Sequence, residues 1–429
     1  RFVENQFFPN SDRPELLIDI TLPQNASITA TQAEMDRLES YLQGNDKALF
    51  WSSYVGRGAP RFLLTLNVLT PAPNIGQIVI QTPSVTDRDA LRVELDSLLK
   101  SRFPGVDGFV KLLEIGPPVG RPVQYRLTGN DIPTLRDQAR GLAAVLATDP
   151  RLTGIVMDWN EPARVIRVNI LQDKARQLGI TASDIASALS AVATFEYTTE
   201  QPVIHQYSRK PTITVKAAIA TADQPATIVG DLADRIAAFN AALPSGVRAE
   251  VGGTVESSAD SQAPIAAVVP LMMLIMLVLI MMQLQGFRRS FVVVCAAPLG
   301  LIGVVIALVF SGAPLGFVAI LGVLALVGIL IRNSIILVNE IEVLRAKGRA
   351  AWDAVFEASD SRARPILLTA AAASLALIPI SRQIFWGPMA YAMMGGIIVG
   401  TIIPLVFVPA LYLAVFKVRR PEPGAPEAE

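Results

Sequence analysis

The sequence predicts an α+β region of two βαβ sandwiches followed by an all-α bundle of five membrane-spanning helices. Three observations carry this. Short β-rich segments alternate with amphipathic helical segments through residues 1–262, in an order that nearly repeats. From residue 263 five long apolar runs take over. Charge follows the same divide: only 17% of the residues are charged against 52% hydrophobic, and the charges lie almost wholly before Asp260 or in short clusters between the runs.

Composition removes several function classes. Lys plus Arg and Asp plus Glu both number 37, so the net charge is zero and gives no support to nucleic-acid binding. A mean hydropathy of +0.44 is high for a water-soluble chain. One cysteine (Cys295) and one histidine (His205) leave no disulfide framework and no Cys/His metal site. A Ser-His-Asp or Cys-His arrangement would need His205, which sits in a polar segment with no motif around it. The pairs Gly252-Gly253 and Gly395-Gly396 lack a phosphate-loop context. Met272, Met273, Met276, Met281 and Met282 raise soft-metal transport, but among Leu and Ile on a lipid-length helix they read as apolar filler. The expectation is a protein that is no enzyme and holds no cofactor or metal.

The first sandwich is assigned to 12–115. Strands are predicted at 15–22, 48–55, 77–82 and 109–115, with an extra short strand at 62–69. A helix at 29–43 opens on N-capping threonines and closes at Gly44; another at 86–102 is stopped by Phe103-Pro104-Gly105. The order β-α-β-β-α-β is that of a split βαβ, ferredoxin-like sandwich, with helices on one face of an antiparallel sheet. The break at Gly116-Pro117-Pro118 opens the second, assigned to 116–162 and 210–254. Its strands are predicted at 123–128, 153–159, 212–218 and 247–252, and its helices at 132–147 and 226–242. Residues 163–209 interrupt it with a strand, two short helices and a polar stretch. Such sandwiches host many functions and identify none.

Residues 255–420 form the membrane domain, with apolar runs at 263–284, 291–310, 317–338, 366–380 and 388–416. About 20 apolar residues at 1.5 Å each cross the hydrocarbon; the fourth run is short but flanked by charges. Arg288 and Arg289 follow the first run, Arg345, Lys347, Arg349, Arg362 and Arg364 lie between the third and fourth, and Lys417, Arg419 and Arg420 follow the fifth. The alternate loops carry only Arg382. Basic loops face the cytoplasm, which puts the large N-terminal region outside and makes 421–429 a disordered cytoplasmic tail. An outside region without a signal sequence needs an upstream spanning helix, so the expectation is the C-terminal part of a longer membrane protein.

Arg332, followed by Asn333 and Ser334, lies in the second half of the third run. A guanidinium at that depth is unfavourable by roughly 2.5–3.5 kcal/mol on insertion scales. Snorkelling near a helix end is the plainer alternative, but Glu340, the nearest acid on the same helix, lies about 12 Å along it. Between Ala263 and Val418 the acids are Glu340, Glu342, Asp353, Glu357 and Asp360, all at or beyond the cytoplasmic end of the third run. The counter-charge for Arg332 is therefore expected from another segment.

Six ordered motifs now give a resemblance: RFVENQFFPNSDRPELLIDITLP (1–23), DKARQLGITASDIASAL (173–189), EVGGTVESSADSQAPI (250–265), APLGLIG (297–303), LIRNSIILVNEIE (330–342) and SRARPILLTAAA (361–372). Across essentially the whole chain these resemble the second half of the RND (resistance–nodulation–division) efflux pumps, within them the hydrophobe/amphiphile exporters of Gram-negative bacteria. The resemblance implies a trimeric, multi-pass inner-membrane antiporter with a large periplasmic domain. It implies export of amphiphiles through a periplasmic adaptor and an outer-membrane channel, driven by protons. The two sandwiches would be porter subdomains and 163–209 a docking segment. In these pumps a basic residue, usually Lys, stands at the position of Arg332 and alternates between two acidic residues of a span in the first half. That half, with its transmembrane acids, is the partner the resemblance implies here. The matching polar positions are Thr369 in PILLT and Arg362 in SRARPI, giving a relay set of Arg332, Asn333, Thr369 and Arg362.

Two departures stand out. Arg cannot release its proton, so Arg332 is a fixed charge that carboxylates gain or lose rather than a proton carrier. SALSA (187–191) runs directly into VATFEYTTEQP (192–202), where the family has a longer segment with a hairpin reaching a neighbouring protomer. The stretch from Tyr54 through Arg57 to Phe62 lies where related pumps have a loop beside the drug path. Its aromatic rings are read either as amphiphile contacts or as plain core residues. Two other function classes stay open: a proton-driven lipid- or protein-export relative, and a membrane-anchored binding module without transport. An anchor gains nothing from a buried arginine.

Overall fold

The computed structural model describes residues 6, 8, 9, 11–159, 161–179, 181, 184, 193–201, 203–221, 223–418 and 420. One compact unit runs through Asp12–Asp223 and Ile228–Gly253, and the other holds the helical region from Thr254 onward.

In the first unit, β1 (Glu15–Thr21), α1 (Ile28–Leu42), β2 (Phe50–Val55), β3 (Ile75–Gln81), α2 (Val85–Arg102) and β4 (Asp107–Leu112) form a sheet in the order β2-β3-β1-β4. Every pair is antiparallel, with Ile18 opposite both Ile78 and Val110. Alternation sends Leu16, Ile18 and Ile20 of β1 and Ile78 and Ile80 of β3 to the helix-covered face. There they meet Met35, Leu38 and Leu42 of α1 and Leu91 and Leu95 of α2 at helical spacing. Each fully buried side chain contributes about 1.5–3 kcal/mol relative to exposure. The N-cap of α1 is Ser27 rather than a threonine: its hydroxyl accepts from the Ala30 amide at 3.2 Å. Ser84 does the same for α2, accepting from the Asp87 amide at 3.1 Å.

The extra strand expected at 62–69 is not formed. Leu66 and Leu63 instead cover Leu17, Val79 and Leu113 on the opposite side of the sheet. The segment's apolar alternation serves this lid, and its backbone is held locally, by Leu66 N–H to the Leu63 carbonyl at 3.0 Å.

The second sandwich repeats the plan. β5 (Val123–Thr128), α3 (Ile132–Ala147), β6 (Leu152–Met157), β10 (Lys210–Ile219) and β11 (Arg248–Gly252) give the order β11-β5-β10-β6, with the two-residue β9 (Gln206–Tyr207) beside β10. Strand for strand this matches the order of the first sheet. The expected single helix at 226–242 is two, α5 (Pro225–Asp231) and α6 (Ala233–Ala242). Between β6 and β10, β7 (Ala163–Ile170) pairs antiparallel with β8 (Ala193–Glu200), and α4 (Gln172–Gln177) follows β7. The SALSA stretch and the 421–429 tail lie outside the described residues.

Among the described residues five helical spans, each long and apolar enough to cross a membrane, make up most of the second unit. α7 (Gly253–Leu284) starts directly after β11, ahead of the expected run. The second span breaks into α8 (Phe287–Ala296) and α9 (Leu299–Ser311) at Pro298, which has no backbone N–H to offer a continuous helix. α10 (Phe317–Ala346), α11 (Ala351–Ser381) and α12 (Gly387–Val415) complete it. Arg362 and Arg364, expected in a loop, lie inside α11, which is far longer than its apolar run. α9 meets α12 through Gly300, Gly303, Gly395, Gly396 and Gly400. A Cβ at Gly303 would fall 2.1 Å from the Gly395 carbonyl oxygen. Small residues permit this approach where no hydrophobic effect drives helices together.

Candidate functional site

α10 carries the candidate charge. Its packing stripe includes Gly322, Leu326, Leu330, Ser334, Leu337, Val338 and Ile341, all buried. The opposite stripe, Leu321, Ala325, Gly328, Arg332, Ile336 and Asn339, recurs every three or four residues and is exposed along its length. Arg332 therefore stands amid small and apolar neighbours on the outward face. Among the described residues it makes no ion pair or hydrogen bond. Asn333 next to it is half-buried, and the buried Ser334 hydroxyl donates to the Leu330 carbonyl at 3.0 Å.

The other two members of the predicted relay set lie on α11 and face different tasks. Thr369 is exposed and its hydroxyl donates to the Ile366 carbonyl at 2.9 Å, one turn back. Arg362 pairs through its Nη2 with Glu340 of α10. No hydrogen bond among the described residues joins Arg332 to Asn333, Thr369 or Arg362. Glu340 is thus engaged with Arg362, eight positions along α10 from Arg332.

On the first sandwich, Tyr54 lies on β2 opposite Gln77 and is half-buried, on the side away from the main core. The Gln77 amide there donates to Asp19 at 2.6 Å and its oxygen accepts from the Ala59 amide at 2.7 Å. Asp19 also pairs with Lys111. This network ties down the chain between β2 and β3. From that segment Arg57 projects outward and Phe62 is 45% exposed, so Phe62 is no core residue.

One polar cluster escaped sequence reasoning. Glu342 forms an ion pair with Arg289 of α8 at 2.6 Å and lies 3.5 Å from Arg345, while Arg345 donates to the Tyr412 hydroxyl at 2.8 Å. Tyr412 also bonds Glu342. The Glu342–Arg345 spacing of three was the only local signal; Arg289 and Tyr412 come from distant helices.

Two split βαβ sheets joined to five spanning helices, one with a cation on its outward stripe, define an RND-type membrane protein. The chain belongs to the AcrB/AcrD/AcrF family, whose model matches residues 1–191 and 186–416. It is 31% identical over 208 residues to the nickel and cobalt resistance protein CnrA of Cupriavidus metallidurans, covering 47% of this chain and 19% of that protein. It is 28% identical over 218 residues to the swarming motility protein SwrC of Bacillus subtilis, covering 47% and 21%. A crystal structure of a heavy metal efflux pump matches with a TM-score of 0.77 at 19% identity, over 97% of this chain and 49% of that one. At that identity the likeness is one of fold. The chain spans about half the length of that pump, and its matched part about a fifth of CnrA and SwrC.

Proposed function

We propose that this chain is the C-terminal half of a proton-driven RND efflux transporter that exports amphiphilic compounds. It works as a homotrimer in the bacterial inner membrane, with the sandwiches in the periplasm as porter subdomains and the 163–209 segment docking toward an adaptor and an outer-membrane channel. The observation that supports this best is Arg332 on an exposed apolar stripe without an acid of its own. An isolated cation there is costly, so a carboxylate from another transmembrane segment must meet it. When that carboxylate is ionised, Arg332 pairs with it; when it is protonated, the attraction weakens and the guanidinium swings toward Asn333 or Thr369. Two arrangements biased by protonation convert a proton gradient into movement. The amphiphile cargo is supported by the exposed apolar residues Phe50, Phe62, Leu64 and Val68 on and after β2, beside Tyr54 and Arg57.

Efflux of a fluorescent amphiphile from energised cells, with abundance checked by blot, tests the coupling. Arg332→Ala should lower efflux to background at normal abundance, Arg332→Lys should retain part of it because charge survives without the fork geometry, and Thr369→Ala should slow it mildly. Full efflux by a well-expressed Arg332→Ala protein overturns the reading. A second reading, a divalent metal ion as cargo, is favoured by the name of the relative CnrA. Cells that gain tolerance to nickel or cobalt but not to dyes or detergents would establish it over the amphiphile.

A further inference from the structure

At the polar end of α10 a pocket of about 480 Å³ opens between the start of α8, the α10–α11 turn and the start of α11. Arg289, Arg345 and Arg349 line it against one carboxylate, Glu342. Glu342 is paired with Arg289 and Arg345, and Arg349 reaches Glu357 through its Nε at 3.3 Å. Each guanidinium has five N–H donors, more than these contacts use.

The turn that presents Arg349 is built rather than loose. Gly348 adopts a left-handed φ of 87°, and its amide donates to the Arg345 carbonyl at 3.1 Å. The Arg349 amide donates to the Leu344 carbonyl, also at 3.1 Å. These two bonds are a Schellman cap, which folds residue 349 back over the helix end. Immediately after, α11 begins at Ala351 with no side-chain cap on its first amides, and Ala351 lines the same pocket. An uncapped helix start adds N–H donors and partial positive charge to the arginines.

We propose that this pocket binds the phosphate of an anionic lipid headgroup. The source is lipid rather than free phosphate because of its surroundings. Trp352 and Phe356 lie with ring centroids 5.2 Å apart, tilted at 41°, on α11, with Phe356 56% exposed, and Phe287 at the start of α8 is 83% exposed. Exposed aromatic rings beside arginines at the end of spanning helices mark headgroup depth, where basic pockets between helices take lipid phosphates.

Native mass spectrometry of the delipidated full-length protein in detergent tests this, titrated separately with phosphatidylglycerol, phosphatidylcholine and inorganic phosphate. Phosphatidylglycerol should bind at least about tenfold tighter than phosphatidylcholine. Arg349→Gln should remove about tenfold of that preference, the size of one charge-assisted hydrogen bond, and Arg349→Lys should restore most of it. Arg349 is largely exposed, so neither variant should disturb folding, and unchanged phosphatidylcholine binding controls for it. Equal retention of the two lipids overturns the proposal, as it would if an acidic protein segment filled the pocket. Inorganic phosphate binding as tightly as phosphatidylglycerol overturns the lipid source. An undiminished preference in Arg349→Gln overturns the site.

Discussion

Leu16 of the first sandwich has no exposed surface, whereas Leu368 of α11 is 70% exposed, and both positions suit the same side chain. In the sandwiches the solvent is water and alternation turns leucine inward. In the spanning helices the surrounding phase is hydrocarbon, and leucine faces it at no loss. Arginines invert in parallel. Arg121 of the sandwich unit is mostly buried and pairs with Asp107, and its guanidinium lies 4.7 Å over the Phe109 ring. Arg332 stands outward on an apolar stripe with no partner among the described residues. Exposure therefore means different things in the two regions: in one it marks contact with water, and among the apolar residues of a spanning helix it sets a lone charge apart.

The comparison breaks most severely at the helix contact. Gly303→Val places side-chain carbon against the Gly395 carbonyl oxygen, which is backbone and cannot yield, so α9 and α12 must separate. Nearly all folded protein should disappear from size-exclusion profiles of the detergent extract; a normal yield would show that the two helices need no close approach.

The paired leucines sharpen it next. Leu16→Ala should cost about 2–5 kcal/mol, because it removes transfer energy and leaves a cavity. Leu368→Ala should cost less than about 1 kcal/mol, since lipid fills the space. Thermal unfolding of the two variants in the same detergent measures the gap. Equal losses would mean that α11 is covered by protein at Leu368.

The smallest effect is electrostatic and confined to the sandwich unit. The Arg151 guanidinium, hydrogen-bonded to Asp149, holds that carboxyl at about 2, below its ordinary value of 3.8. A depressed carboxyl contributes stability that is present above its ordinary value and lost as pH falls through 2. Arg151→Leu should remove most of that contribution, lowering stability above pH 3.8 and flattening its fall between 3.8 and 2. Hydrogen exchange at the Leu152 amide, which donates to the Asp149 carbonyl, follows it once corrected for intrinsic rates. Identical pH profiles in both proteins would detach Asp149 from Arg151.

Local pattern made much of this molecule legible. Strand alternation, capping residues and Gly-Pro breaks are written within a few residues of where they act. The eight sandwich strands and the five spans were therefore readable in order, and Arg332 was conspicuous inside an apolar run. The tertiary structure decided what depends on partners distant in the chain. The stretch 62–69 alternates like a strand, but its Leu63 and Leu66 pack across the sheet face over Leu17 and Val79, and it adds no strand to the order β2-β3-β1-β4. Arg362 counts as loop charge in a hydropathy pattern, yet a helix longer than its apolar run carries it to Glu340. Arg289, Glu342, Arg345 and Tyr412 come from α8, α10 and α12, and no periodicity links residues so far apart. Helix and strand signals are properties of neighbouring residues, whereas ion pairs and pockets belong to whichever chain segments the core brings together.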